Sequence, residues 1–188
     1  VTTSYGRGTS QGPAAVLEAS SQVDLSLKGV FEPWFMKMAM MKLSEDILTE
    51  GKKLKSHATK IIDYLENVGD DLPTELLELQ KIVNEGCQRL NEAIYRQSSA
   101  LLNKNKIVGM LGGDHSTPYG LIKALGEHHS FGILQIDAHM DLREAYEGFT
   151  YSHASIMRNA LPLKGVQSIT QVGIRDFCQE EQNYASDC

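Results

Sequence analysis

No stretch of this 188-residue chain is long and apolar enough to span a bilayer as a helix. The most apolar run, FEPWFMKMAMMKL, is short and carries Lys37 and Lys42. No basic stripe is present either: 18 Lys and Arg stand against 24 Asp and Glu, and the net charge of -6 argues against nucleic acid as a main partner. Cysteine is scarce. Cys87, Cys178 and Cys188 show no CxxC spacing and make no even-numbered framework, so free thiols in a reducing cytoplasm are expected. The N-terminal VTTSYGRGTSQGP lacks the apolar core of a secretory signal, and it also lacks an initiator Met. Internal repeats and low-complexity segments are absent. What is left, 41% hydrophobic and 22% charged, is the composition of an ordinary soluble chain with enough length for one substantial core.

The first thirteen residues read as a Gly/Ser/Thr-rich loop closing on Pro13, with a helix starting at PAAVLEAS and a short strand and turn at 23–31. A helical pattern runs from Trp34 to about Val68 and is broken by Gly69-Asp70-Asp71-Leu72-Pro73. A second helix is expected from Thr74 to about Asn103. Its Leu76, Leu79, Val83, Cys87, Leu90, Ile94 and Leu101 fall at steps of three, four or seven, which is a core stripe. The period then changes. IVGML (107–111), FGILQID (131–137) and SITQVGI (168–174) are short apolar runs separated by the helix-like TPYGLIKALGEHH and YSHASIMRNAL. Buried strands alternating with helices predict a parallel α/β sheet, whose ligands bind at the carboxyl ends of the strands.

Two stretches fall at those ends: GGDHS at 112–116 and DAHMD at 137–141. Asp137, His139 and Asp141 are spaced i, i+2, i+4. On a helix they would diverge, whereas at an extended strand end they point to one side. Side chains of this kind are costly to bury without a compensating charge, and a metal ion supplies it. His115, from another strand end, is placed to complete the group. Two imidazoles and two carboxylates without thiolate suit Mn²⁺ or another first-row divalent ion rather than structural zinc. A carboxylate inside such a cluster can bridge two ions roughly 3.5–4 Å apart, an arrangement that activates water for hydrolysis. Asp114 is expected to hold the loop or to orient a ligand from behind. His57, His128 and His129 match no motif and read as surface residues.

GGDHS, DAHMD and the later SHAS, in this order and spacing, resemble the ureohydrolase family of arginases and agmatinases. The resemblance runs from about Thr2 to the end of the chain, since TSYGRGTSQGPAAVLEAS also resembles the family's N-terminal loop and first helix. It implies an arginase-like α/β fold, a three-layer αβα with a mainly parallel sheet, as a single domain over 1–188. It implies two Mn²⁺ ions and the hydrolysis of guanidino groups to urea, in a homo-oligomer, trimer or hexamer. Carried over by position, His115 and Asp141 would ligate one manganese and His139 the other, with Asp137 bridging. His153 matches the active-site histidine that assists proton transfer and contacts the substrate.

Selectivity is expected from the loop LREAYEGFTYS between Asp141 and His153. Arginases have an asparagine two places after the last aspartate of DAHxD; this chain has Arg143, and the stretch looks like agmatinases of one branch. The expected reaction is therefore agmatine to putrescine and urea. Glu144 and Glu147 are candidates for attracting a cationic substrate. Arg143 pulls the other way: facing the pocket it would hold a carboxylate, as in a guanidino-acid hydrolase or formiminoglutamase, whereas pairing with Glu144 or Glu147 removes that argument. The family's later DxDxxDP motif, which supplies two further aspartates, is missing. A domain incomplete at its C-terminus is the expected reason. A non-catalytic ureohydrolase-like subunit is the alternative of a different class, and a single-zinc deacetylase-type hydrolase is disfavoured by the motif order.

Overall fold

The computed structural model describes residues 1–4, 8–23, 38–41 and 44–187. Helix α1 (Gly12–Ser20) follows a 3-10 turn at Thr9–Gln11. Helix α2 (Glu45–Asn67) begins where Ser44 accepts a hydrogen bond from the Ile47 N–H at 3.4 Å, with Glu45 and Asp46 at the positive end of the helix dipole. The helical pattern expected from Trp34 thus starts later: residues 38–41 are not helical, and 34–37 lie outside the described residues. Ser44 wins because its side chain caps a helix N-terminus, and nothing comparable stands at 38–41. The strand expected at 23–31 lies almost wholly outside the described residues. Helix α3 (Thr74–Leu102) matches the expected span, and its buried residues include Val83, Cys87 and Ile94 of the predicted stripe.

The α2 and α3 stripes close on each other as the first core, Leu54, Ala58, Ile61, Ile62, Val83 and Cys87, with Phe149 added from a distant loop. Each fully buried side chain of this kind contributes about 1.5–3 kcal/mol. Gly86 permits the approach, because a Cβ there would lie 2.3 Å from Leu54 Cδ1. Burial pushes the Cys87 thiol up to about 11, so it behaves as a small hydrophobe. Cys87 and Cys178 are free thiols.

Helix α4 (Tyr119–His128) crosses α3 backbone to backbone: a Cβ on Gly120 would meet Asn91 O at 2.4 Å and Tyr95 N at 2.8 Å. Strand β1 (Phe131–Ile136) pairs in parallel with β2 (Val166–Val172), and between them lie a 3-10 turn (His153–Ser155) and helix α5 (Ile156–Ala160). Helix α6 (Gln179–Asp187) ends the described chain. A second core, Leu142, Ile156 and Met157, packs on Ile133 and Ile169 of the sheet and on Tyr119, Met140 and Tyr184. The opposite sheet face shows Leu134, Ile136 and Val172 to solvent.

IVGML at 107–111, expected as a strand, is not one. The reason is pairing: a strand exists through its ladder, and among the described residues β1 pairs with β2 alone. Ile107 is accordingly almost fully exposed. His57, expected on the surface, is half-buried with its Nδ1 enclosed, because Leu54 and Ile61, three residues before it and four after it on α2, are both in the core.

Candidate metal centre

The carboxyl end of β1 and the turn before α4 bring three predicted residues together. His115 Nδ1 lies 2.6 Å from Asp141 Oδ2 and 3.1 Å from Asp137 Oδ2, and one ligand-type atom from each of the three residues lies within 4.8 Å of the others. The hydrogen bond to Asp141 first, then the surrounding carboxylates, raise the pKa of His115 above its ordinary value against the effect of burial. Burial works against ionisation of Asp137, but the His139 N–H at 2.9 Å and the neighbouring His115 outweigh it and hold the carboxyl low. Asp141 is 4% exposed and sits at φ 55, a left-handed conformation uncommon outside glycine.

That conformation is held from several sides. The carbonyl of Ala138 accepts the N–H groups of Arg175 and Asp176, and that of His139 accepts from Gln135 Nε2 at 3.1 Å. The Met140 carbonyl accepts from Gln171 Nε2 at 2.7 Å, and Asp141's own accepts from Met157 and Arg158 at the start of α5. One residue on, Leu142 donates its N–H to the buried Glu181, whose other carboxylate oxygen accepts from Cys178 at 2.9 Å. Four consecutive carbonyls, those of residues 138–141, are thus each held by hydrogen bonds, which makes the loop rigid.

His139 stands apart from the cluster. Its Nδ1 is 3.5 Å from Asp137 Oδ1, and its Nε2 is turned to Asp176 at 3.7 Å. Asp114 ties the GGDHS turn: Oδ1 accepts from the Ser116 N–H at 3.0 Å and from the Ser116 hydroxyl, and Oδ2 from Thr3 Oγ1 at 3.2 Å. His153 packs edge-on to Tyr146, with ring centroids 5.7 Å apart, and its Nδ1 is enclosed. Burial chiefly lowers its pKa, so the ring is neutral near pH 7.

The loop from Asp141 to His153 turns at Glu147-Gly148, both with positive φ, closed by reciprocal Tyr146–Phe149 backbone bonds. This turn sends Phe149 into the first core and leaves Tyr146 beside His153. Arg143 lies over the Tyr146 ring at 5.1 Å, and its Nε is 3.8 Å from Glu181 Oε2. Its partner is thus neither Glu144 nor Glu147. Glu144 is exposed and 3.8 Å from Arg158. Glu147 is half-buried, and burial and then Glu66 push its carboxyl up. Together with Leu65, Glu66, Asp70 and Gln80, Arg143, Tyr146 and Glu147 line an open cleft.

Gln135, Gln171 and Glu181 were not singled out from the sequence. A signal existed: in FGILQID the period-2 face that carries Ile133 and Asp137 also carries Gln135, a polar residue at a core phase.

A parallel α/β unit here gathers an imidazole and two carboxylates, a cluster that could hold a metal ion. Comparison with known proteins makes this specific: the chain matches the model of the Arginase family over residues 1–188, and it belongs to that family. It is 30% identical over 182 residues to N(1)-aminopropylagmatine ureohydrolase of Synechocystis sp., covering 96% of this chain and 49% of that protein. It is 39% identical over 101 residues to the agmatinase of Halalkalibacterium halodurans, covering 53% of this chain and 35% of that one. A solved structure, agmatine ureohydrolase of Thermoplasma volcanium, is similar with a TM-score of 0.44 and 29% identity, over 68% of this chain and 46% of that one. The chain thus spans half or less of the length of these relatives. Among the described residues, no helix is long and apolar enough to cross a membrane.

Proposed function

We propose that the protein is a cytoplasmic manganese hydrolase of guanidino compounds, with agmatine as its substrate and putrescine and urea as products. The observation that carries the reading is the cluster of His115, Asp137 and Asp141 at the strand end. Its donor set fits the group: hard carboxylate oxygens with one imidazole suit a first-row divalent ion such as Mn²⁺. Asp137 and Asp141 would hold the metal with His115, and His139, whose ring adjoins Asp137, would join from the exposed side. When bound, the metal supplies Lewis acidity and an activated water. The chain's own groups do the rest. The Gln135, Gln171 and Glu181 bonds keep the carboxylates in register, and neutral His153 is available to accept or return a proton at the ring nitrogen opposite its enclosed Nδ1.

Agmatine is favoured over a guanidino acid by the commitment of Arg143. A guanidinium between a buried carboxylate and an aromatic ring is already neutralised, which weakens it as a clamp for a substrate carboxylate. Agmatine instead carries a positive tail, which suits a cleft containing Glu66, Asp70 and Glu147. The family resemblance adds a trimer or hexamer to the proposal, which sedimentation would read.

The test is urea release from agmatine, arginine, guanidinobutyrate and N(1)-aminopropylagmatine by the full-length protein, with Mn²⁺ or with chelator. Manganese-dependent turnover of agmatine is the expected result. Turnover of only the acid substrates would make Arg143 a carboxylate clamp and overturn the substrate assignment. Metal binding without any turnover would favour a non-catalytic subunit.

A further inference from the structure

The parallel register sets Gln135 of β1 beside Gln171 of β2, both on the sheet face beneath the ligand loop. Gln135 is 3% exposed. A buried amide beside a half-buried one at a sheet-helix contact is costly unless bonded, and an aliphatic pair would serve packing as well. The bonds these amides make are the reason to look further. Gln171 Nε2 donates to the Met140 carbonyl at 2.7 Å and to Gln135 Oε1 at 2.6 Å, and Gln135 Nε2 donates to the His139 carbonyl at 3.1 Å. Backbone carbonyls only accept, so the two of them fix the orientation of both amides, and the only arrangement that satisfies both is the one observed. Gln135 Nε2 also reaches Asp141 Oδ2 at 3.5 Å.

We propose that Gln135 and Gln171 are a positioning pair that sets the geometry of the metal-binding carboxylates. The proposal rests on the metal-hydrolase reading above. The two side chains touch no reacting atom. They act through the backbone of His139 and Met140, the link between Asp137 at the end of β1 and Asp141 in its left-handed conformation. They act as one unit, because Gln171 donates to Gln135 Oε1 while Gln135 Nε2 holds the His139 carbonyl, so the two amides form one bonded chain.

The experiment uses the full-length protein and compares Gln135→Met, Gln171→Met and the double variant. Mn²⁺ affinity is read by electron paramagnetic resonance of the free ion, independently of turnover. The melting of metal-free protein and the kcat and KM for agmatine at saturating Mn²⁺ are measured alongside. Each single variant is expected to bind Mn²⁺ about ten-fold or more weakly, the usual effect of losing a group that orients a ligand. The KM for agmatine stays within about two-fold, and the double variant is no worse than the poorer single one, since coupled residues are non-additive. Unchanged Mn²⁺ affinity in the single variants overturns the proposal, whatever happens to melting. Losses that multiply in the double variant overturn the pair as a unit. If Gln135→Met does not fold, Gln171→Met carries the test from the less buried strand. An unmutated protein that binds no Mn²⁺ overturns the metal-hydrolase reading and this proposal with it. One that binds Mn²⁺ but releases no urea overturns the hydrolase reading alone, and the affinity ratios still decide the pair.

Discussion

Arg143 and Glu181 meet at 3.8 Å, joining the loop that follows Asp141 to helix α6, with the carboxylate buried and the guanidinium partly open to solvent. This pairing makes Arg143 a part of the scaffold. Arg143→Ala is expected to lower kcat/KM for agmatine by less than about five-fold, matching the ~1 kcal/mol ceiling of a partly exposed ion pair. Steady-state kinetics on agmatine and guanidinobutyrate check it. Loss of acid turnover with agmatine untouched would show that Arg143 binds a substrate carboxylate.

Glu181 should matter more to the fold than Arg143 does. Glu181→Ala leaves the Leu142 and Cys178 N–H groups without their acceptor, and a loss of about 2–4 kcal/mol follows from one buried and one part-buried donor left unbonded. Denaturant titration of the variant measures this; a change below about 0.5 kcal/mol would mean water replaces the carboxylate without penalty.

His115→Ala and Asp137→Asn each remove a member of the three-residue cluster. Both are expected to abolish manganese-dependent urea release while the circular dichroism spectrum stays that of the parent. Wild-type turnover in either variant would refute the metal-site assignment.

Protons and metal should compete at His115. Its pKa in the metal-free fold is raised above 6.5, first by Asp141, so the protonated form contributes stability that is full below pH 6.5 and is lost as pH rises through the folded value. Metal must displace that proton. Mn²⁺ affinity is therefore expected to rise about ten-fold per pH unit up to the folded pKa of His115 and to level above it. Calorimetric titration in buffers of different ionisation enthalpy would count the released proton; binding without proton release would sink the idea.

Phe149 is fully buried in a core built otherwise from α2 and α3, although it belongs to the loop between Asp141 and His153. Phe149→Ala is expected to cost about 3–5 kcal/mol, as for other large-to-small changes in a core. It should also raise the KM for substrate, since the same turn presents Tyr146 to His153. Unchanged KM in a destabilised variant would uncouple the anchor from the site.

Much of this architecture could be read from residue order. The α3 stripe, the β1 and β2 runs, and the placing of DAHMD at a strand end follow from local periodicity, which survives in any single sequence. The boundary of α2 depended on a cap at Ser44, a single side chain within a Met-rich run. IVGML failed as a strand because pairing is a property of two segments, and its own sequence describes only one. The partner of Arg143 was hidden for a similar reason: Glu181 lies 38 residues away on another element, whereas Glu144 and Glu147 were merely nearer in the chain. Of the four residues expected to ligate metal, the alternation that placed Asp137 and Asp141 on one side did not foresee that His139 would turn toward Asp176.

At Gly120 the contact between α3 and α4 is made where a side chain is absent, and His115 enters the site from the turn that leads into α4. The placement of a chemically reactive ring is thus inherited from a position with no chemistry of its own. A saturation library scored for urea release is expected to mark Gly120 as intolerant as the proposed metal ligands, and a search guided by reactive side chains alone would pass it over. For anyone transplanting this centre into another scaffold, the unit to move is the helix crossing as well as the ligands.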